Sequence, residues 1–308
     1  MGQDRSVAQD PRVAQDHRLR QYTALSASFT GPAAGPTARP LVLLHGFTQT
    51  GASWAPIVAE LQGRFPIFLP DAPGHGGSSH VRADLWRTAD LLVGTVGRPA
   101  LWVGYSMGGR TALHVALAHP DQVEGLVLIS TTAGIDAPEE RDARRAADDS
   151  LAARIQADGT EAFLDFWLAQ PLFSTLPPGS AGREARLANT PDGLASSLRL
   201  AGTGSQEPLW DRLALLRERS LPVLLVAGAL DGRYRDQATR LASAIGPSAR
   251  LLIVNGAGHA CHLEKPQIVS AAISAMAEIG RASSGQAASS EGRTSSEGKA
   301  NSEQQPEG

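Results

Sequence analysis

Gly104-Tyr105-Ser106-Met107-Gly108 sets a serine between two glycines. The motif follows the apolar run Leu101–Val103 and precedes a helical stretch, Gly109–Ala118. A serine at a sharp strand-to-helix turn needs small neighbours, because its own backbone is strained. Its hydroxyl then stands clear of the sheet at the positive end of a helix. Such a hydroxyl turns basic or nucleophilic only when a neighbour takes its proton. Of the eight histidines, His259 is the candidate. It ends Gly256-Ala257-Gly258-His259, in a loop just past the apolar run Leu251–Val254. His262, three residues on, is the weaker candidate and is expected to be structural. The imidazole in turn needs a carboxylate to orient it. Asp231 follows the run Val223–Val226 by a short loop. Asp71, in Leu69-Pro70-Asp71, competes but reads as a residue that shapes its loop. An activated alcohol of this kind also needs two N–H donors for a developing oxyanion. Met107, next after the serine, supplies one. Phe47, in His45-Gly46-Phe47 after the run Leu41–Leu44, is the choice for the other, with His45 expected to order that loop.

The elements that must hold these residues alternate. Short apolar runs recur at Leu41–Leu44, Ile67–Leu69, Leu101–Val103, Leu126–Ile129, Val223–Val226 and Leu251–Val254, bounded by Gly, Pro or Asp. Runs of that length and composition read as strands buried on both faces. Helical spacing falls between them, as in Trp54, Ile57, Val58 and Leu61, and again in Ala238, Leu241, Ala242 and Ile245. Strands alternating with helices predict an α/β fold, a mostly parallel sheet with helices on both faces. The less apolar stretch 21–29 is expected to be an antiparallel edge strand. The alternation breaks between Ile129 and Val223, where 137–157, 160–169 and 183–200 all read as helix. This predicts an inserted helical cap over residues 134–210, above the sheet's C-terminal edge. The core is then residues 21–133 together with 211–280. Residues 1–20 read as a disordered polar arm and 281–308 as a disordered tail, since their composition cannot offset the entropy of ordering.

Composition bounds the function. The chain has 308 residues, 42% of them hydrophobic, enough for a sizeable core. Its 28 basic and 31 acidic residues give a net charge of −3, which leaves nothing to hold a nucleic acid. A single cysteine excludes an internal disulfide framework and a multi-cysteine zinc site. Cys261 itself reads as a small packed residue. No apolar run suits a membrane span and the first ten residues are too polar for a signal peptide, so the expected location is cytoplasmic. The oligomeric state is not set by the sequence. The cations are 26 arginines against two lysines, Lys265 and Lys299, so any one arginine is weak evidence of a site.

HGFTQTGASW, LPDAPGHGGSS, VGYSMGGR, PLF and NGAGHACHLEKP together resemble the α/β-hydrolase superfamily with a helical lid. The chain order Ser106, Asp231, His259 is the order of that superfamily. Within it, Arg110, EERDARRAAD (139–148), FLDFWLAQPLF (163–173) and RLANTPDGLASSLRLAGTG (186–204) resemble the 2-succinyl-6-hydroxy-2,4-cyclohexadiene-1-carboxylate synthases of menaquinone biosynthesis. The resemblance covers about residues 40–280. It implies a lyase that eliminates pyruvate from 2-succinyl-5-enolpyruvyl-6-hydroxy-3-cyclohexene-1-carboxylate, with no metal and no cofactor. That substrate carries three carboxylates, which planar guanidinium groups suit. The resemblance implies substrate contacts from Arg110, Arg144, Arg186, Trp167 and Tyr105, with Arg141 and Arg145 as substitutes for Arg144. Arg110 is one helical turn past Ser106 and can face the same pocket. The sequence departs from the family at Gly232-Arg233-Tyr234, where a Lys-Phe-like pair is expected. Two alternatives stay open. A carboxylesterase or a C–C bond hydrolase would use the same three residues. A non-catalytic binding protein on this scaffold would have no need of all of them.

Overall fold

Leu41–Leu44 and Ala100–Tyr105 are buried at every position, which a strand reaches only with layers packed on both faces. The structure is a computed structural model and describes residues 25–32, 39–61 and 63–279. The polar arm and the tail lie outside the described residues. Among the described residues seven strands form one sheet: β1 (Ala27–Thr30), β2 (Leu41–Leu44), β3 (Ile67–Pro70), β4 (Ala100–Tyr105), β5 (Val123–Ile129), β6 (Val223–Gly228) and β7 (Ala249–Val254). Their order is β1-β3-β2-β4-β5-β6-β7, with β1 antiparallel to β3 and every other pair parallel. The expected antiparallel edge strand is therefore β1, at the far end of the stretch that predicted it.

Alternation along each strand divides the core in two. Val42, Leu44, Trp102, Leu126 and Leu128 face one layer. Leu41, Leu43, Leu101, Val103, Val127 and Ile129 face the other. Helix α1 (Ala55–Leu61) covers the second face with Ile57 and Leu61. Helices α2 (Leu85–Val96) and α3 (Met107–Ala118) cover the first with Ala89, Leu92, Ala112 and Leu113. This is the mostly parallel sheet with helices on both faces that the pattern of apolar runs predicts.

The chain steps from β2 outward to β3 and then crosses back to β4 on the other side of β2. Neighbouring strands whose connections leave in opposite directions open a crevice at their C-terminal ends. Here that crevice lies between the loop after β2 and the turn after β4, which hold Phe47 and Ser106 respectively.

Between β5 and β6 the chain is helical. Helix α4 (Pro138–Leu168) is interrupted at Gly159, whose φ of 78° is not helical. Helix α5 (Pro191–Ala201) packs on it, and Ala152, Ile155, Phe163, Leu194, Ala195 and Leu198 form a small core between the two. The single helix expected over 183–200 is instead a turn of helix at Arg183–Arg186, a break, and then α5. The break has a local cause. Pro191 disfavours the α conformation in Thr190, and the Thr190 hydroxyl caps the new helix by accepting from Gly193 N at 3.2 Å. Helix α6 (Gly232–Ile245) follows β6 and covers the first face with Ala238, Leu241 and Ile245. Among the described residues no helix is long and apolar enough to cross a membrane.

Candidate active site

Ser106 sits at φ 51° and ψ −108°, a region that non-glycine residues enter only at a cost of about 1–3 kcal/mol. The surrounding packing imposes it. Ser106 N donates to Ile129 O at 2.9 Å, and Thr131 Oγ1 donates to Ser106 O at 2.8 Å. Both flanking glycines are needed for close approach. A Cβ on Gly104 would lie 2.2 Å from Gly108 O, and one on Gly108 would lie 2.1 Å from Leu44 O. The turn thus presses α3 against the end of β2, and it leaves the serine hydroxyl on the crevice.

The Ser106 hydroxyl donates to His259 Nε2 at 3.3 Å. His259 Nδ1–H donates to Asp231 Oδ2 at 2.7 Å, and the imidazole is 2% exposed. Asp231 Oδ1 accepts from Tyr234 N at 3.2 Å, so one carboxylate both orients the imidazole and caps α6. The two loops that carry them are tied together by Leu230 N to Ala257 O at 2.9 Å and Ala229 N to Val254 O at 2.9 Å. Gly258 N donates to Glu264 Oε2 at 2.9 Å, which fixes the approach to His259. Tyr234 packs on the imidazole with ring centres 4.4 Å apart. The sequence places these three residues on three separate loops, and the structure brings them into one hydrogen-bonded chain.

The N–H groups of Phe47 and Met107 have no hydrogen-bond partner among the described residues. The Phe47 loop is held from behind. His75 Nε2 accepts from Thr48 N at 3.2 Å while its Nδ1–H donates to Pro73 O at 3.1 Å. Burial pushes the His75 pKa down to about 3, so the ring is neutral and can accept. His45 plays a similar part, with Nε2 accepting from Ala72 N at 3.0 Å. Asp71 shapes two turns through Gly51 N at 2.8 Å and Gly77 N at 2.9 Å, away from the imidazole of His259.

A cavity of about 200 Å³ opens over the serine, lined by Phe47, Ser106, Met107, Arg110, Arg144 and Trp167 among others. Arg110 is 7% exposed and donates to Ala201 O at 2.8 Å and Gln206 Oε1 at 3.2 Å. Burial lowers its pKa to about 10, which leaves it a cation at neutral pH. Arg144 Nε pairs with Asp148 Oδ1 at 2.8 Å. Asp148 is 1% exposed, and its other oxygen accepts from Gly204 N at 3.2 Å. The candidate substitutes turn elsewhere, Arg141 to Ile135 O at 3.2 Å and Arg145 to Gly204 O at 3.2 Å. Trp167 meets Phe47 edge-on at 5.3 Å and stacks on Phe163 at 6.0 Å.

Two of the expected substrate contacts lie off the cavity wall. Arg186 is buried behind the Phe47 loop and does not line the cavity. Its guanidinium donates to Ala181 O at 2.7 Å, to Phe47 O at 3.4 Å and to Thr48 Oγ1. These Nε and Nη1 bonds tie Arg186 to the Phe47 loop. Tyr105 is also absent from the wall. Its ring lies between His259 and His262, at 5.3 and 4.1 Å, because the strand's alternation turns it into the core beside Val103. His262 is 1% exposed, and burial lowers its pKa to about 3, as suits a structural residue. Cys261 is fully buried, and its thiol pKa is pushed up to about 12.

Sequence reasoning missed Asp148 and Gln206 as partners of the arginines. The i,i+4 spacing of Arg144 and Asp148 was a usable signal. Gln206 lies in an irregular segment that carries none.

Residues 39–266 match the model of the alpha/beta hydrolase fold family. A putative 2-succinyl-6-hydroxy-2,4-cyclohexadiene-1-carboxylate synthase of Bacillus subtilis strain 168 is 36% identical over 251 residues, covering 76% of this chain and 89% of the relative. A pimeloyl-[acyl-carrier protein] methyl ester esterase of Yersinia enterocolitica is 31% identical over 239 residues, covering 75% and 90%. Among solved structures, MenH from S. aureus superposes with a TM-score of 0.76 at 28% identity, covering 83% of this chain and 98% of that one.

Proposed function

The chain belongs to the alpha/beta hydrolase fold family, and we propose that it eliminates pyruvate from 2-succinyl-5-enolpyruvyl-6-hydroxy-3-cyclohexene-1-carboxylate, a step of menaquinone biosynthesis. The observation that carries this reading is the Ser106–His259–Asp231 chain at the floor of a cavity whose wall bears the cations Arg110 and Arg144. The names of its relatives support it further.

His259, oriented by Asp231, takes the proton of Ser106. The serine oxygen removes the ring proton beside the succinyl ketone, and the electron pair of that C–H bond moves onto the ketone oxygen. The N–H groups of Phe47 and Met107 hold the resulting oxyanion. When the charge returns, electrons pass through the ring alkene and the C–O bond to the enolpyruvyl group breaks. Enolpyruvate departs and is protonated at carbon by the proton that His259 took from Ser106, which gives pyruvate and returns His259 to its neutral form. No acyl–enzyme forms. Arg110 and Arg144 hold carboxylates of the substrate, and a guanidinium fork suits that work better than an ammonium.

Ester hydrolysis is the competing reading, since the same three residues serve acyl transfer. A neutral ester has no use for guanidinium groups on the wall, which favours the polyanion. The test is pyruvate release by purified protein, run beside p-nitrophenyl ester hydrolysis. Pyruvate formation at a higher kcat/KM than ester turnover is expected. Fast ester turnover with no pyruvate would overturn the proposal.

A further inference from the structure

Three guanidinium groups border the cavity over Ser106, and they differ in what already occupies them. Arg144 is paired with Asp148. Arg110 is bonded to Ala201 O and Gln206. Arg233 has no ion pair or hydrogen bond among the described residues. Its nearest aromatic neighbour is the Tyr234 ring, 5.8 Å from its guanidinium carbon. It stands two residues past Asp231, at the start of α6, so the cap that fixes Asp231 also fixes its backbone.

A second cavity of about 280 Å³ adjoins the first. Thr132, Thr203, Arg233 and Tyr234 line both, so the two are chambers of one cleft with Arg233 at the junction. In the outer chamber Asp136 and Arg240 neutralise each other in a 2.6 Å ion pair. Glu140 faces the outer chamber only. Among the described residues the one carboxylate on the inner side is Asp231, already engaged with His259. The inner side of the junction is therefore the place where an incoming carboxylate gains most.

We infer that Arg233 binds a carboxylate of the substrate at the junction of the two chambers, as a third cation beside Arg110 and Arg144. The inference rests on the proposed elimination for the identity of that substrate, but an anion site at Arg233 can be tested without it. Arg233 is exposed, so Arg233→Ala should leave the melting temperature nearly unchanged. A charged hydrogen bond lost from ground state and transition state alike raises KM and spares kcat. KM for the enolpyruvyl substrate is expected to rise about 10- to 30-fold in Arg233→Ala, with kcat within about threefold and part of the loss restored in Arg233→Lys. Binding of tricarballylate by titration calorimetry is expected to weaken by a similar factor. If the wild type releases no pyruvate, the proposed reaction fails, and the tricarballylate titration still decides the role of Arg233. Equal tricarballylate affinity in wild type and Arg233→Ala, or no binding by either, overturns the inference. So does a loss of kcat at unchanged KM.

Discussion

Asp231→Asn separates orientation of the imidazole from stability of the fold. Asp231 uses both oxygens, Oδ1 for Tyr234 N at 3.2 Å and Oδ2 for His259 Nδ1 at 2.7 Å. An asparagine there has one oxygen and one NH₂. If the oxygen keeps the Tyr234 bond, the NH₂ faces Nδ1, which must then accept. The proton moves to Nε2, and His259 can no longer take the proton of Ser106. If the amide flips, the imidazole keeps its useful tautomer, but Tyr234 N faces a donor and the cap, worth about 1 kcal/mol, is lost. Both oxygens are committed, so no orientation preserves both functions. A neutral amide also gives up charge assistance, which roughly doubles the strength of a hydrogen bond. A fall in kcat of about 10³- to 10⁴-fold is expected, the size seen when a triad histidine is held in the wrong tautomer. Asparagine caps helices about as well as aspartate, so the melting temperature should move by only a few degrees. The assay is pyruvate release coupled to lactate dehydrogenase, read with thermal unfolding of the same preparations. A variant within tenfold of the wild-type kcat at an unchanged melting temperature would refute the reasoning.

Two further outcomes follow from the packing. Gly108→Ala puts a Cβ 2.1 Å from Leu44 O, and backbone on both sides cannot give way. It should cost about 3 kcal/mol or more, seen as a lowered melting temperature or loss of soluble protein. Acid should destabilise the fold through buried histidines. Burial lowers His75 and His262 from 6.5 to about 3, and His114 from 6.5 to about 4. In that window the unfolded chain binds protons that the folded chain does not. The contribution is therefore full above about 6.5 and is lost as pH falls, by at most about 1.4 kcal/mol per pH unit for each ring. Urea midpoints at pH 7.5, 6 and 4.5 should fall in that order, and a flat series would contradict it.

The parts of the fold that follow one local rule were legible. Apolar runs gave the strands, because a strand covered on both faces cannot alternate with polar residues. The G-x-S-x-G spacing located the turn, because two backbones pass too close there for any side chain at Gly104 or Gly108. Parts that depend on the direction of a side chain were harder. Tyr105 continues the inward series Leu101, Val103, and that period of two already pointed it away from the crevice. Arg186 follows a segment without period, and nothing local indicates that its guanidinium turns to Phe47 O. The break before Pro191 was signalled by the Thr-Pro pair, although the Arg and Leu alternation around it suggested one helix. The cleft junction at Arg233 joins α6 to residues of the inserted segment, a pairing that no single stretch of sequence encodes.

The most direct measurement compares elimination and binding in Ser106→Ala. The hydroxyl is the one group proposed to touch the departing proton, and its removal leaves the guanidinium wall in place. Turnover should fall by at least about 10³-fold, while tricarballylate still binds with wild-type affinity. Pyruvate released at the wild-type rate would contradict the account, because the proton would then leave without Ser106.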